Sequence, residues 1–101
     1  FLMLQQVENM KLPRSVHWDS KWRLIIFDIP EKYGRARRAL SYALRRIGVY
    51  PLQRSVFIYP FPCRDEIEFV VNFFQVSDYV RFLEVVQFDS DDELKKFFEI
   101  R

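Results

Sequence analysis

The sequence predicts an α+β fold in which a four-stranded antiparallel sheet carries two helices on one face. The apolar patterns follow the order strand, helix, strand, strand, helix, strand, and a short helix ends the chain. The length of 101 residues fits one domain with a single core. A hydrophobic content of 50% with only 2 Gly indicates a well-packed chain and excludes a disordered one.

The first 21 residues differ from the rest of the chain. Residues 1–10 have some helical spacing, and Pro13 then breaks the pattern. We therefore expect a short helix and a connector in residues 1–21. Because the chain begins at Phe1 and not at Met, this segment is interpreted as the remnant of an upstream domain, and residues 22–101 as the folded domain.

The first strand is predicted over residues 22–29 and the first helix over residues 31–47. Leu24–Phe27 is a continuous apolar run, which is typical of a central strand, and Pro30 ends it. The helix has one apolar face, and Gly48 is a suitable stop. That face comprises Ala36, Leu40, Ala43, Leu44 and Ile47.

The second half of the chain repeats the alternation of strand and helix. Two strands are predicted over residues 49–53 and 54–59, a helix over 63–75 and a fourth strand over 79–88. A final helix is predicted from the S-x-x-E capping box formed by Ser90 and Glu93.

This order is the split βαβ, or ferredoxin-like, βαββαβ arrangement with an added C-terminal helix. Its two helices cover one face of the sheet and leave the other open. The open face and the aromatic content of 18% therefore predict a homodimer.

Positive charge is concentrated in one segment. Residues 31–54 contain seven basic side chains and one acidic side chain, although the net charge of the whole chain is only +2. The predicted helix places part of this charge on its polar face, where it is suited to nucleic-acid phosphates. A solvated helix face is the alternative explanation. The candidate binding residues are Lys32, Arg35, Arg38, Arg45 and Arg46.

Asp28 is the strongest candidate for chemistry. A carboxylate at the end of a buried strand is unfavourable unless it is paired, metal-bound or at the surface. In a two-fold dimer, Asp28 from each subunit would approach its mate, and Mg²⁺ or Mn²⁺ would relieve their repulsion and activate water against a phosphodiester. The alternative is that Asp28 caps the following helix.

Several other classes of site are excluded. His17 is the only histidine, which excludes a histidine cluster, and Cys63 is the only cysteine, which excludes an internal disulfide and a cysteine-rich zinc site. Cys63 and Ser55 are interpreted as structural residues. The sequence has no Gly-rich phosphate loop and no apolar run long enough to span a membrane, and the single cysteine fits a cytoplasmic location.

Two motifs in the expected order resemble known families. F-D-I-P at the end of the first strand and the later Q-R-S-V-F-I look like the CRISPR-associated protein 2 family, an adaptation subunit also described as an endoribonuclease. W-D-S-K-W-R-L-I-I-F-D-I-P-E and L-Q-R-S-V-F-I-Y-P are similar to the related domain of PaaX-like transcriptional repressors, where it follows a winged helix.

The CRISPR resemblance implies specific roles for individual residues. Asp28 would bind the metal at the dimer axis, Ser55 and Phe57 would lie near that site, and the basic helix would face nucleic acid. The chain departs from that family at Ile58, where the CRISPR proteins often have an acidic residue.

Two functions therefore remain open. The first is a CRISPR-associated protein 2-like homodimer that binds RNA or DNA in spacer acquisition for antiviral defence, with an integrase subunit as partner and Mg²⁺- or Mn²⁺-dependent endoribonuclease activity at Asp28. The second is a non-catalytic dimerisation domain of a PaaX-like repressor.

Overall fold

A computed structural model of the 101-residue chain describes residues 5–7, 9–89 and 91–100. Residues 5–7 are helical, and short 3₁₀ turns at Glu31–Tyr33 and Ser77–Tyr79 precede α1 and β4. The remaining elements are β1 (Lys21–Phe27), α1 (Gly34–Arg46), β2 (Tyr50–Gln53), β3 (Val56–Tyr59), α2 (Arg64–Phe73), β4 (Val80–Val86) and α3 (Asp92–Phe97).

The four strands form one antiparallel sheet in the order β2-β3-β1-β4. This order, with a helix in each crossover, confirms the predicted ferredoxin-like arrangement and its C-terminal helix. β1 is central, as its apolar run predicted. The register shifts between Pro51 and Gln53 in β2, and the proline there is tolerated because β2 is an edge strand.

Element boundaries differ from the prediction by a few residues. β1 ends at Phe27, two residues before the predicted end, and the Asp28 amide then donates one further bond to the Tyr79 carbonyl at 2.9 Å. Arg54 and Ser55 form a turn between β2 and β3. The N-cap of α3 is Asp91, whose side chain makes no capping hydrogen bond. Ser90 of the predicted capping box, and residues 1–4 and 8 of the short helix expected at the start of the chain, lie outside the described residues.

The core lies between the sheet and the two long helices. Ile25, Phe27 and Phe57 are at most 2% exposed, and the rings of Phe27 and Phe57 stack with centroids 5.7 Å apart. Their side chains share one face of the sheet because Ile25 lies directly opposite Phe57. The helices contribute further buried side chains to the core, which are Leu40, Ala43, Leu44, Ile67, Val70 and Val71.

A second packed layer covers one end of the opposite face. Trp22 is fully buried there. The centroid of its ring lies 4.7 Å from that of Trp18 and 6.1 Å from that of Phe98. The Trp22 indole Nε1 donates a 3.0 Å hydrogen bond to Asp91 Oδ2. The connector before β1 and the segment around α3 therefore meet over this end of the sheet, which explains why Trp22 and Asp91 are both buried.

Arg23 of β1 links the sheet to the connector before it through hydrogen bonds. Its guanidinium donates to both carboxylate oxygens of Asp19, at 2.9 and 2.6 Å, and to the Pro60 carbonyl at 2.7 Å. Glu84 of β4 lies 3.4 Å from its Nε. The hydrogen bonds between Arg23 and Asp19 raise the pKa of Arg23 and lower the pKa of Asp19. This segment of the W-D-S-K-W-R motif is therefore structural.

Within the described part of the chain, no helix has both the length and the apolar character needed to cross a membrane.

Candidate functional surfaces: the open sheet face and the basic helix

The face of the sheet opposite α1 and α2 is only partly covered. Side chains alternate along β1. Ile25 points to the core, so Leu24 and Ile26 on either side of it point to the opposite face. Leu83 is 42% exposed, Ile58 opposite Leu24 is fully buried, and the other aliphatic residues there are half-buried. We call this surface the open face; its partly or fully exposed aliphatic residues are Leu24, Ile26, Val56, Leu83 and Val85.

Asp28 lies at one end of the open face. Burial alternates from Ile25 to Ile29, with Phe27 and Ile29 buried and Asp28 exposed between them, so Asp28 continues the row of Ile26. Its carboxylate makes no hydrogen bond or ion pair with the described residues. The cap positions of the following 3₁₀ turn and of α1 are Pro30 and Tyr33, and neither carries a side-chain cap bond. Asp28 therefore does not cap the helix that follows it.

Within the described part of one chain, Asp28 does not belong to a cluster of metal ligands. Among the described residues, no group of three or more His, Cys, Asp or Glu is placed to hold a metal ion. Its exposed oxygens suit a hard cation such as Mg²⁺, but a site of several ligands would need Asp28 from a second copy. The residues therefore fit such a metal only as a pair across a dimer axis.

The two residues expected near Asp28 lie at different depths. Ser55 is half-buried in the β2–β3 turn, and its carbonyl accepts a 3.0 Å bond from the Phe27 amide, which places it beside the end of β1. Phe57 is fully buried on the core side, against Phe27. Any influence of Phe57 on Asp28 would pass through core packing.

A basic stripe runs along the exposed side of α1. Its side chains recur at helical spacings of three and four, so they share one side of the helix, and within the described chain none of them forms an ion pair. Tyr42 lies among them, 56% exposed, with the Arg46 guanidinium 5.7 Å from its ring centroid. The stripe comprises the exposed residues Arg35, Arg38, Tyr42, Arg45 and Arg46. Lys32 is also exposed, in the preceding 3₁₀ turn.

The burial of Cys63 agrees with its interpretation as a structural residue. Cys63 is buried, and burial together with the nearby Glu66 raises the pKa of its thiol to about 12. The thiol therefore stays protonated at neutral pH and is a poor nucleophile. His17 is exposed in the connector.

Sequence reasoning missed the position of Arg81. It is exposed in β4, directly opposite Ile26, and so lies on the open face near Asp28. Strand alternation in V-R-F-L-E-V-V would have placed it with Leu83 and Val85 once the pairing of β4 with β1 was known.

Comparison with known protein families agrees with this architecture. Residues 15–96 match the family model described as the PaaX protein central Cas2-like domain, which covers most of the 101 residues. No curated protein and no solved structure matches the chain significantly. The match includes all four strands, both long helices and the W-D-S-K-W-R lead-in. The chain therefore belongs to the family of PaaX central Cas2-like domains.

Proposed function

We propose that this chain is a non-catalytic homodimerisation domain of a PaaX-like transcriptional repressor, in which two copies meet through their open faces. The observation that carries the proposal is the open face itself. Partly exposed aliphatic side chains from three adjacent strands lie side by side there, and such patches on a folded chain mark interaction surfaces.

A second copy is the simplest occupant of this face. In a two-fold dimer both subunits use the same surface patch. Each residue then contacts the same residue of the partner or one that lies next to it. The open face is apolar at the paired residues Leu24 of central β1 and Leu83 of edge strand β4, and it is charged at one end, at Asp28 and Arg81. An apolar centre with a polar rim is the usual composition of an interface between protein chains.

The mass of the particle in solution tests this proposal. Light scattering coupled to gel filtration is expected to give twice the chain mass of 12.4 kDa across the micromolar range. A mass of 12.4 kDa at every concentration would overturn it.

The basic stripe gives the dimer a second role, which is to contact nucleic-acid phosphates. Four arginines and an exposed tyrosine occupy one side of α1 without acidic partners among the described residues, so their charge is available to an external anion. α1 lies on the side of the sheet away from the open face, and each stripe would therefore point outward from the dimer.

Charge reversal on the stripe is expected to weaken nucleic-acid binding. Replacing Arg35, Arg38 and Arg45 by Glu should lower the affinity for RNA or duplex DNA at least about tenfold at low salt and flatten its salt dependence. Fluorescence anisotropy at several salt concentrations measures both effects. The matched control reverses Lys11, Arg54 and Lys96, which are exposed elsewhere. Equal losses in the two triple variants would show that net charge, and not the stripe, determines binding.

The second candidate is the CRISPR-associated protein 2-like function in spacer acquisition, with an integrase subunit as partner and metal-dependent cleavage of phosphodiesters. The observation that favours it is the exposed, uncapped and unpaired carboxylate of Asp28. Mg²⁺ or Mn²⁺ held by Asp28 of both subunits would supply an activated water when bound.

Substitution of Asp28 by Ala separates the two functions. If the domain is non-catalytic, the wild type and Asp28→Ala will show equal background cleavage of RNA and DNA with Mg²⁺ or Mn²⁺ at several pH values. Ser55→Ala is the control for the neighbouring turn. Metal-dependent cleavage by the wild type that is lost in Asp28→Ala would instead support the nuclease.

A further inference from the structure

Two opposite charges lie at the same end of the open face. Arg81 is directly opposite Ile26 in the pairing of β4 with β1, and Asp28 continues the row of Ile26 two residues further on. This places Asp28 and Arg81 at diagonal positions, where Cα atoms on adjacent strands lie roughly 7–8 Å apart. Both side chains are exposed, and they form no ion pair with each other within the described chain.

Bringing two open faces together changes the surroundings of these charges. Each carboxylate and each guanidinium would lose water, which is unfavourable for a charge that gains no partner. Two Asp28 carboxylates near the axis would also repel each other. A dimer built on this face therefore needs a source of positive charge beside Asp28.

We propose, on the basis of the homodimerisation proposed above, that Arg81 of each subunit forms an ion pair with the partner's Asp28. Two-fold symmetry makes the contact reciprocal, so one pair of positions yields two salt bridges across the interface. A guanidinium donates to both oxygens of a carboxylate, which fixes the register of the two sheets as well as neutralising the acids. Arg81 thereby takes the place that a divalent cation would otherwise fill.

This pairing assigns Asp28 a role in assembly. The aliphatic residues of the open face are compatible with several relative rotations of two sheets. The charged end favours one of them, because an arrangement with crossed Asp28 and Arg81 places opposite charges of the two subunits together.

Charge exchange at the two positions tests the pairing. Asp28→Arg and Arg81→Asp each place like charges together, and each is expected to raise the dimer dissociation constant at least about tenfold in sedimentation measurements. The double variant Asp28→Arg/Arg81→Asp restores the pair in reverse and should return within about threefold of the wild type. Asp65→Arg, in the first turn of α2 on the other side of the sheet, is the charge-reversal control and should leave the dimer intact.

The outcomes distinguish this pairing from its alternatives. A double variant as weak as the weaker single variant, or single variants that dimerise like the wild type, would overturn the pairing and leave homodimerisation standing. A wild-type dimer that dissociates in EDTA and re-forms with Mn²⁺ would assign the neutralising charge to metal and overturn the pairing as well. A monomeric wild type would overturn homodimerisation, and the pairing with it. Both positions are exposed, so thermal unfolding of the single variants should match that of the wild type at concentrations where both are monomeric.

Discussion

Trp22→Ala is expected to destabilise the domain more than any other single substitution considered. The side chain is fully buried between the rings of Trp18 and Phe98, and its removal leaves a large cavity. Truncation of a buried Trp typically lowers the free energy of unfolding by about 3–5 kcal/mol. The variant also removes the donor that satisfies Asp91, which is 5% exposed. Since domains of this size are stable by roughly 5–15 kcal/mol, this loss is a large fraction of the total stability.

Urea denaturation followed by far-UV circular dichroism measures this effect. Trp22→Phe is the comparison variant, because it keeps one aromatic ring in the layer and removes the indole donor and part of the ring volume. Its free energy of unfolding should fall by about 1–3 kcal/mol, less than for alanine. If Trp22→Ala stays within about 1 kcal/mol of the wild type, the layer between the connector and α3 does not stabilise the fold as described.

Leu83→Glu is expected to convert the dimer into a monomer. Leu83 lies on the open face in the edge strand β4, 42% exposed in one chain, and the substitution places an unpaired carboxylate in the proposed interface. A buried charge without a partner opposes association by several kcal/mol, so the dimer dissociation constant should rise by about a hundredfold or more. Sedimentation velocity over a range of concentrations measures the change.

The fold of the monomer should survive this substitution, because the side chain is already partly in water. Val16→Glu is the control for an added charge, since Val16 is 97% exposed in the connector and far along the chain from β4. It should sediment like the wild type. If both variants remain dimeric, the interface lies elsewhere on the surface.

Local patterns were sufficient to predict the elements and their order. The apolar run of β1, the single apolar face of α1 and the breaks at Pro30 and Gly48 depend only on neighbouring residues. The ferredoxin-like topology followed because the order of elements leaves few ways to build one antiparallel sheet.

The contacts between distant residues could not be predicted in the same way. The bond from Trp22 to Asp91 joins positions 69 apart in the sequence, and the bond from Arg23 to the Pro60 carbonyl joins positions 37 apart. Arg81 was missed because its neighbours on the open face depend on the register of β4 against β1. The exposed position of Asp28, in contrast, agrees with its place at the end of the strand.

The position of the interface is tested most directly by NMR on an equimolar mixture of ¹³C-labelled and unlabelled chains. Isotope-filtered spectra of this mixture report only contacts between subunits. The account predicts intermolecular contacts from the methyl groups of the open face, at Leu24, Ile26, Val56, Leu83 and Val85. Intermolecular contacts confined to methyl groups of α1 or α2, or none at all at millimolar concentration, would contradict it.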